Sequence, residues 1–245
     1  MTTIILGSRE DPVFPDVLPE NIIYINGSIL TELNKFKKIK KSIVLSPHIF
    51  VSDKKKLLDY KPNINIELFQ KIKKEIEKNY FTNIFVRPTS DHTEKFKFDY
   101  SDLNCMKLNL FNENEFDKFI LKNFNLENNN LKINFFLKNF FKEPKNFIKL
   151  LFGINKIRMM NSFKVSSGIL GLMIALSNKS YNPPYYVVGI GFDKSGYSYI
   201  TKDINDRKNH ILADLNFLKS IKTNKTLSDK ICFTNKTANN LFLKI

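Results

Sequence analysis

Residues 66–87, IELFQKIKKEIEKNYFTNIFVR, carry the clearest fold signal in the chain. In the first half, Phe69, Ile72 and Ile76 recur at the spacing of one helix face. In the second half, the consecutive apolar residues 84–86 predict a buried strand. A helix followed at once by a buried strand is the unit of a parallel sheet that has helices on both faces.

The same alternation extends in both directions along the chain. Strands are predicted at residues 3–6, 22–25, 42–45, 83–86, 105–108, 185–188 and 230–233. Helices are predicted at residues 29–36, 66–78, 113–123, 146–152, 167–177, 208–221 and 236–243. The sequence therefore predicts an α/β fold in a single Rossmann-like domain over residues 1–245. Its mainly parallel sheet is flanked by helices, and a small lid segment is expected around residues 190–210.

Composition limits the class of protein. Hydrophobic residues make up 42% of the chain, which is ample for a core, and no apolar run is long enough to predict a transmembrane helix. The N-terminus lacks a basic region of the signal-peptide kind. Cys105 and Cys232 lie in apolar strand-like runs and are expected to be buried free thiols. We therefore expect a cytoplasmic protein, and the scattered histidines predict no metal site.

The formal net charge of +15 indicates an anionic partner. Nucleic acid, an anionic membrane surface and phosphorylated glycans are the candidate classes. No recognised nucleic-acid motif is present, so no nucleic-acid partner is expected. Peripheral contact with the inner membrane face would suit a lipid-linked acceptor, since each basic residue near anionic lipids adds roughly 1 kcal/mol. Solvated lysine-rich faces are the alternative explanation of the charge.

Residues 164–199, KVSSGILGLMIALSNKSYNPPYYVVGIGFDKSGYSY, concentrate the functional signals. Ser166 or Ser167 is a good N-cap for the apolar helix that follows, and Gly168 lets a ligand approach the backbone. The free amides and dipole of such a helix N-terminus favour a phosphate or carboxylate. An ordinary capped core helix would explain the same residues.

The strand predicted at 185–188 is followed directly by Gly189, Gly191 and Gly196. Loops at the carboxyl ends of strands in open α/β sheets commonly form the ligand crevice. The glycine spacing is not that of a dinucleotide-binding motif, and a tight turn without a ligand is the alternative. Beyond these glycines stands His210, an isolated titratable imidazole.

These residues, taken in order, resemble a known pattern. The matching residues are Ser166, Ser167, Gly168, Gly189, Ile190, Gly191, Phe192, Gly196, Tyr199 and His210. They resemble the sialyltransferases, most closely glycosyltransferase family 42, the bacterial enzymes of lipooligosaccharide sialylation, and more loosely family 29. Residues 3–7, 23–26 and 231–242 are similar to that family's first strand, second strand and closing strand and helix. Residues 53–164 carry no recognisable match.

The resemblance implies an inverting glycosyltransferase. It implies that a sialic acid or related keto-sugar moves from a CMP-linked donor to a hydroxyl of a surface glycan or glycolipid such as lipooligosaccharide. It also implies that no metal or other cofactor is needed, and that homo-oligomers form. His210 matches the general base, and Tyr199 matches one of two tyrosines that bind the leaving phosphate. The matching donor-binding positions are Gly7, Ser8, Asn26, Ser46, Ser166, Ser167, Gly168, Gly189, Phe192 and Asp193.

Several positions depart from the family pattern. Asp193 stands where the family has its first tyrosine, and a carboxylate there would repel a phosphate. Ser8 or Arg9, and Ser46, replace asparagines of the family. A donor of Kdo or another nonulosonate therefore remains an alternative. A non-catalytic basic protein that binds nucleic acid or an anionic glycan is the second alternative.

Overall fold

The computed structural model describes residues 2–9, 12–31, 39–60, 65–88, 96–126, 137, 143–151, 162–191 and 204–244. Seven strands in these residues form one sheet in the order β5-β4-β3-β2-β1-β6-β7. They are β1 (Thr3–Leu6), β2 (Asn21–Ile25), β3 (Lys40–Leu45), β4 (Phe81–Val86), β5 (Cys105–Leu110), β6 (Tyr185–Val188) and β7 (Ile231–Phe233). Every neighbouring pair is parallel. The predicted Rossmann-like α/β domain is confirmed.

Helices connect the strands and cover the sheet. Within the described ranges the longer α-helical elements are α1 (Lys54–Tyr60), α2 (Ile66–Lys78), α3 (Glu113–Asn123), α4 (Pro144–Leu151), α5 (Ser167–Ser177), α6 (Ile204–Lys222), α7 (Lys225–Ser228) and α8 (Lys236–Lys244). Two short 3₁₀ helices, Asn26–Leu30 and Pro47–Phe50, follow β2 and β3 directly.

The core lies on both faces of the sheet because successive strand side chains point to opposite faces. On one face, Ile5 and Ile23 pack in a cluster that includes residues of α3, α5, α6 and α8. On the other face, Ile4 and Ile22 pack in a cluster that includes residues of α2. The central strands are therefore buried on both sides, which explains their almost continuous apolar sequences.

Three helices begin where their sequences place an N-cap. The Asn65 side chain accepts a hydrogen bond from the Leu68 amide, and Asn112 caps α3 in the same way. Of the two candidate serines, Ser166 caps α5, with its hydroxyl accepting from the amide of Ile169 at 3.2 Å. These caps satisfy amides that have no partner within the helix, so the predicted bounds of α2, α3 and α5 are confirmed.

Three predictions require correction. The helix expected from residue 29 begins instead as the 3₁₀ helix Asn26–Leu30, with residues 32–38 outside the described part. The helix expected from residue 208 begins instead at Ile204, within the predicted lid segment 190–210. Cys105 and Cys232 are free, as expected, but only half-buried, because β5 and β7 are the two edges of the sheet. Burial raises the pKa of both thiols.

The strand order reverses at β1. From β1 the chain builds outward through β2, β3, β4 and β5, whereas β6 and β7 lie on the other side of β1. In open parallel sheets, ligands bind in the crevice at the carboxyl ends of the strands where the order reverses. Here that position lies between the ends of β1 and β6, at Gly7 and Gly189.

Candidate functional site

The candidate site is centred on the turns that leave β1 and β6. The Gly7 amide donates to the Val188 carbonyl at 2.7 Å, and the Arg9 amide donates to the Gly189 carbonyl at 3.2 Å. A Cβ at Gly7 would overlap the Gly189 carbonyl oxygen, and Gly189 has φ +63°. Glycine is therefore required at both positions by the close approach of two backbones, whether or not a ligand binds there.

The ends of β1, β2 and β3 are joined to one another by polar side chains. The buried Ser8 hydroxyl donates to the Ile25 carbonyl at 2.9 Å. The buried Asn26 side-chain oxygen accepts from the Ser46 amide at 2.8 Å. Asn26 has φ +48°, in the left-handed region that asparagine tolerates better than most residues. The first three strands therefore end in a fixed row of small polar residues.

Ser46 also contacts an imidazole. Its hydroxyl oxygen lies 3.0 Å from Nδ1 of His48, in the 3₁₀ helix that follows β3. The His48 ring is tilted against Phe96, with 6.3 Å between ring centroids. His48 is thus held in place beside Ser46, at the carboxyl end of β3.

The N-terminus of α5 faces the same edge of the sheet. The hydroxyl of Ser167 accepts from the guanidinium of Arg87, just after β4, at 3.3 Å. A Cβ at Gly168 would meet the Ile190 side chain at 2.9 Å, so the small residue is needed for packing against the loop after β6. Gly7, Asn26 and residues 166–168 therefore all lie at one carboxyl edge of the sheet.

His210 lies beside this helix N-terminus. It is half-buried in α6, and its Nδ1 lies 2.6 Å from the carbonyl oxygen of Lys164, two residues before the N-cap of α5. A carbonyl can only accept, so Nδ1 must carry the proton. In the neutral ring Nε2 then holds the lone pair, which is the tautomer that a general base at Nε2 requires.

Asp214 stands one turn along α6 from His210. Its carboxylate is buried, and Oδ1 accepts from the Ser166 amide at 2.8 Å. Burial raises the pKa of Asp214 from 3.8 to about 7, against the opposing effects of hydrogen bonds from Ser166 and the charge of Arg87. A carboxyl with a pKa near neutrality therefore contacts the N-cap residue of α5, at the helix terminus that favours anions.

Phe192, Asp193 and Tyr199 lie outside the described residues, as does most of the predicted lid. Gly191, the last described residue of the loop after β6, lies under the Arg9 guanidinium, which a Cβ there would overlap. Arg9 thus reaches across the turn from β1 to the turn from β6.

Two functional candidates were not predicted as site residues. They are Arg87, whose guanidinium could meet an anion, and Asp214. The signal for Asp214 is its spacing of four from His210, which puts both residues on one face of a helix. Its contact with Ser166 spans 48 residues and is not visible in a local pattern.

No family model, curated protein or solved structure matches the chain. In the described part of the chain, no group of three or more His, Cys, Asp or Glu side chains could hold a metal ion. No helix among the same residues is long and apolar enough to cross a membrane.

Proposed function

We propose that the chain is an inverting glycosyltransferase that uses a CMP-linked donor. It moves a sialic acid, or a related keto-sugar, to a hydroxyl of a surface glycan or glycolipid such as lipooligosaccharide. His210 is the general base, and no metal takes part. The proposal joins the resemblance to family 42 with the arrangement of the crevice. A cytoplasmic location, peripheral contact with an anionic membrane and self-association remain predictions.

One observation carries the proposal. His210 donates from Nδ1 to the Lys164 carbonyl at 2.6 Å, beside the N-terminus of α5. A base and an anion-favouring terminus are thereby brought together at the crevice where the strand order reverses. Transfer from a sugar phosphate needs both, since one group must take a proton while another stabilises a leaving phosphate.

The reaction follows from these parts. The acceptor hydroxyl attacks the anomeric carbon and loses its proton to Nε2 of His210, forming a new carbon–oxygen bond. The bond from the anomeric carbon to the phosphate oxygen breaks, and its electron pair leaves with CMP. The amides of α5 and the Ser167 hydroxyl stabilise the charge gained by the phosphate. Tyr199 would add a further hydrogen bond to that phosphate.

The residues that follow the strands form the proposed nucleotide-binding side of the crevice. Gly7, Ser8, Asn26 and Ser46 follow the ends of β1, β2 and β3, and Gly189 follows β6. The Ser8 proton is already donated to Ile25, so its hydroxyl can offer a ligand only an acceptor. Because Gly7 and Gly189 have no side chain, a ligand in the crevice can approach the backbone there.

A binding screen followed by a transfer assay tests the proposal. Thermal shifts are measured with CMP, CMP-sialic acid, CMP-Kdo, UDP-sugars and short oligonucleotides, with and without magnesium. We expect CMP compounds to raise the melting temperature without magnesium, because ligands that bind only the native state stabilise it. Transfer from CMP-sialic acid to a lactose-terminated acceptor should then be detected.

The same screen separates the alternatives. Turnover only with CMP-Kdo or another nonulosonate donor would reassign the donor and retain the mechanism. Stabilisation by oligonucleotides alone would favour a basic binding protein. No stabilisation by any cytidine nucleotide would overturn the proposal.

A further inference from the structure

One face of α6 holds the chain that leads into α5. His210, Asp214 and Phe217 are spaced by four and three residues, which places them along one side of the helix. His210 contacts Lys164, and Asp214 contacts Ser166. Phe217 supports the same segment through aromatic packing.

That aromatic support is continuous. The Phe217 ring lies 5.7 Å from the Phe124 ring, and Phe124 lies 5.2 Å from Phe163. Phe163 and Val165 are 1% and 2% exposed, so the segment is fixed in the core on either side of Lys164. The two polar contacts of α6 are therefore made to a chain with little freedom to move as a whole.

Two successive peptide units of this segment have separate partners. The Lys164 carbonyl accepts from His210, while the Val165 amide of the same peptide unit donates to the Phe163 carbonyl at 2.8 Å. The next unit, between Val165 and Ser166, is held through its amide by Asp214. Rotation of the first unit would turn the Lys164 carbonyl away from the imidazole, and displacement of the second unit would shift the Val165 Cα to which the first unit is bonded.

The hydrogen bond between Asp214 and the Ser166 amide is buried. The Ser166 residue is 8% exposed and Asp214 is 5% exposed, so water is not at hand to replace the carboxylate. A buried amide that loses its acceptor carries the full cost of its desolvation, about 1–3 kcal/mol. Without Asp214 the local backbone would gain by rotating towards another acceptor.

We propose that Asp214 is a positioning residue for His210. By holding the Ser166 amide, it fixes the Lys164 carbonyl, and that carbonyl keeps the imidazole in its Nδ1–H tautomer beside α5. This inference rests on the proposed function only in treating His210 as a base, since the structural coupling stands without any reaction.

The direct test is nitrogen-15 NMR of the histidine rings. The chain has three histidines, and His210→Ala assigns the relevant signals. The wild type should show a slowly exchanging Nδ1–H for His210. Asp214→Ala should lose that signal, whereas Asp214→Asn should retain it, because its amide oxygen still accepts from Ser166. A wild-type spectrum for Asp214→Ala would overturn the proposal.

Phe217→Leu is the control for a general loss of stability. It weakens the packing of the same helix face and leaves both hydrogen bonds in place, so the melting temperature should fall while the Nδ1–H signal stays. Loss of the signal in Phe217→Leu as well would show that any loosening of α6 has the same effect, and the specific role of Asp214 would be rejected.

A second pair removes the contact from the other side, should Asp214→Ala fail to fold. Ser166 has φ −67°, which suits proline, so Ser166→Pro replaces the amide proton with a ring carbon at a compatible backbone angle and displaces the Asp214 carboxylate. Ser166→Ala removes the capping hydroxyl but keeps the amide. The Nδ1–H signal should be lost in Ser166→Pro and kept in Ser166→Ala, and equal spectra for the two variants would contradict the proposal.

Activity separates this inference from the proposed function. Where CMP-sugar transfer is found, Asp214→Ala should lower kcat about tenfold or more with a smaller change in KM for the donor, while Asp214→Asn retains most of the rate. Where no transfer is found, the proposed function fails, but the tautomer result still decides the role of Asp214.

Discussion

The two sides of the crevice are built in different ways. On the strand-end side, Ser8, Asn26 and Ser46 follow three adjacent strands and are joined by short hydrogen bonds between neutral groups. On the helix side, the groups come from β4, α5 and α6, far apart in sequence, and most can ionise. That side contains Arg87, Ser166, Ser167, His210 and Asp214.

One side of the crevice is therefore a rigid support, and the other contains the groups that can take up or release protons. The hydrogen bonds of Ser8, Asn26 and Ser46 are fixed by the sheet itself and should respond little to pH between about 5 and 8, since these three side chains do not titrate there. The helix side contains an imidazole and a carboxyl whose pKa burial raises to about 7. Substitutions on the two sides should therefore differ in kind as well as in size.

The largest expected effect belongs to the helix side. His210→Ala should lower turnover by roughly 10²–10⁴-fold, the usual contribution of general acid–base catalysis. CMP affinity should change little, because the base serves the acceptor. The wild-type rate should fall at acidic pH as the imidazole is protonated, and steady-state kinetics across pH measure both effects.

The strand-end side provides the control, His48→Ala. His48 contacts Ser46 and could influence donor KM, but the acidic limb of the pH profile should survive its removal. Wild-type turnover in His210→Ala would show that His210 is not the base. Loss of the acidic limb in His48→Ala would show that the base lies on the strand-end side of the crevice instead.

The next largest effect is expected at the boundary between the two sides. Gly7→Ala places a Cβ against the backbone of Gly189, which cannot move without parting β1 from β6. Overpacking of this kind costs about 3 kcal/mol, or roughly 6–12 °C in Tm for a chain of this size. Thermal denaturation measures the loss.

Gly191→Ala is the matched comparison. Its Cβ would also meet close atoms, but these belong to the far end of the Arg9 side chain, which can shift. We expect less than half the loss seen in Gly7→Ala. Equal losses would mean that Arg9 is held as firmly as a backbone.

Local sequence patterns predicted much of the fold because its elements are defined by local physics. The starts of α2, α3 and α5 coincide with the side-chain caps of Asn65, Asn112 and Ser166. The start of β3 was placed two residues late. Lys40 and Lys41 at its start are polar and partly exposed, so the apolar pattern begins only at Ser42.

The site was predicted less completely because its contacts are long-range. Small polar residues after strands could be expected at one edge, since parallel strands share a carboxyl edge. Asp214 looked like one polar residue of an amphipathic helix, and only the packing of α6 against the chain before α5 buries it. Gly168 was explained by ligand access, whereas the structure shows that Ile190 occupies the adjacent space.

A pH-dependent stability effect should mark the helix side. Because burial raises the pKa of Asp214 to about 7, the native state keeps this proton between pH 4 and 7 while the unfolded chain loses it. The contribution of Asp214 to stability therefore falls as pH rises through that range. Asp214→Asn cannot ionise, so its Tm minus that of the wild type should increase from pH 4 to pH 7 and then level off.

Asp99→Asn gives a control of opposite sign. Hydrogen bonds from Ser101 lower the pKa of the exposed Asp99, so its contribution is present at neutral pH and is lost as pH falls. The Tm deficit of this variant should shrink in acid. A flat difference for Asp214→Asn would show that this carboxyl is already ionised throughout and does not titrate in that range.

The smallest effect should come from the strand-end side and should not depend on pH. Asn26→Gly removes the hydrogen bond to the Ser46 amide but keeps a residue that accepts φ +48°. A loss of about 1 kcal/mol is expected, which corresponds to roughly 2–4 °C in Tm.

Asn26→Ala should lose about 1 kcal/mol more, because a Cβ is disfavoured in the left-handed region. If the alanine variant were the more stable of the two, strain at this turn would not matter. If either loss grew between pH 5 and pH 8, and still did so after His48→Ala removed the imidazole beside Ser46, the strand ends would be coupled to the titrating helix side. The two sides of the crevice would then act as one unit.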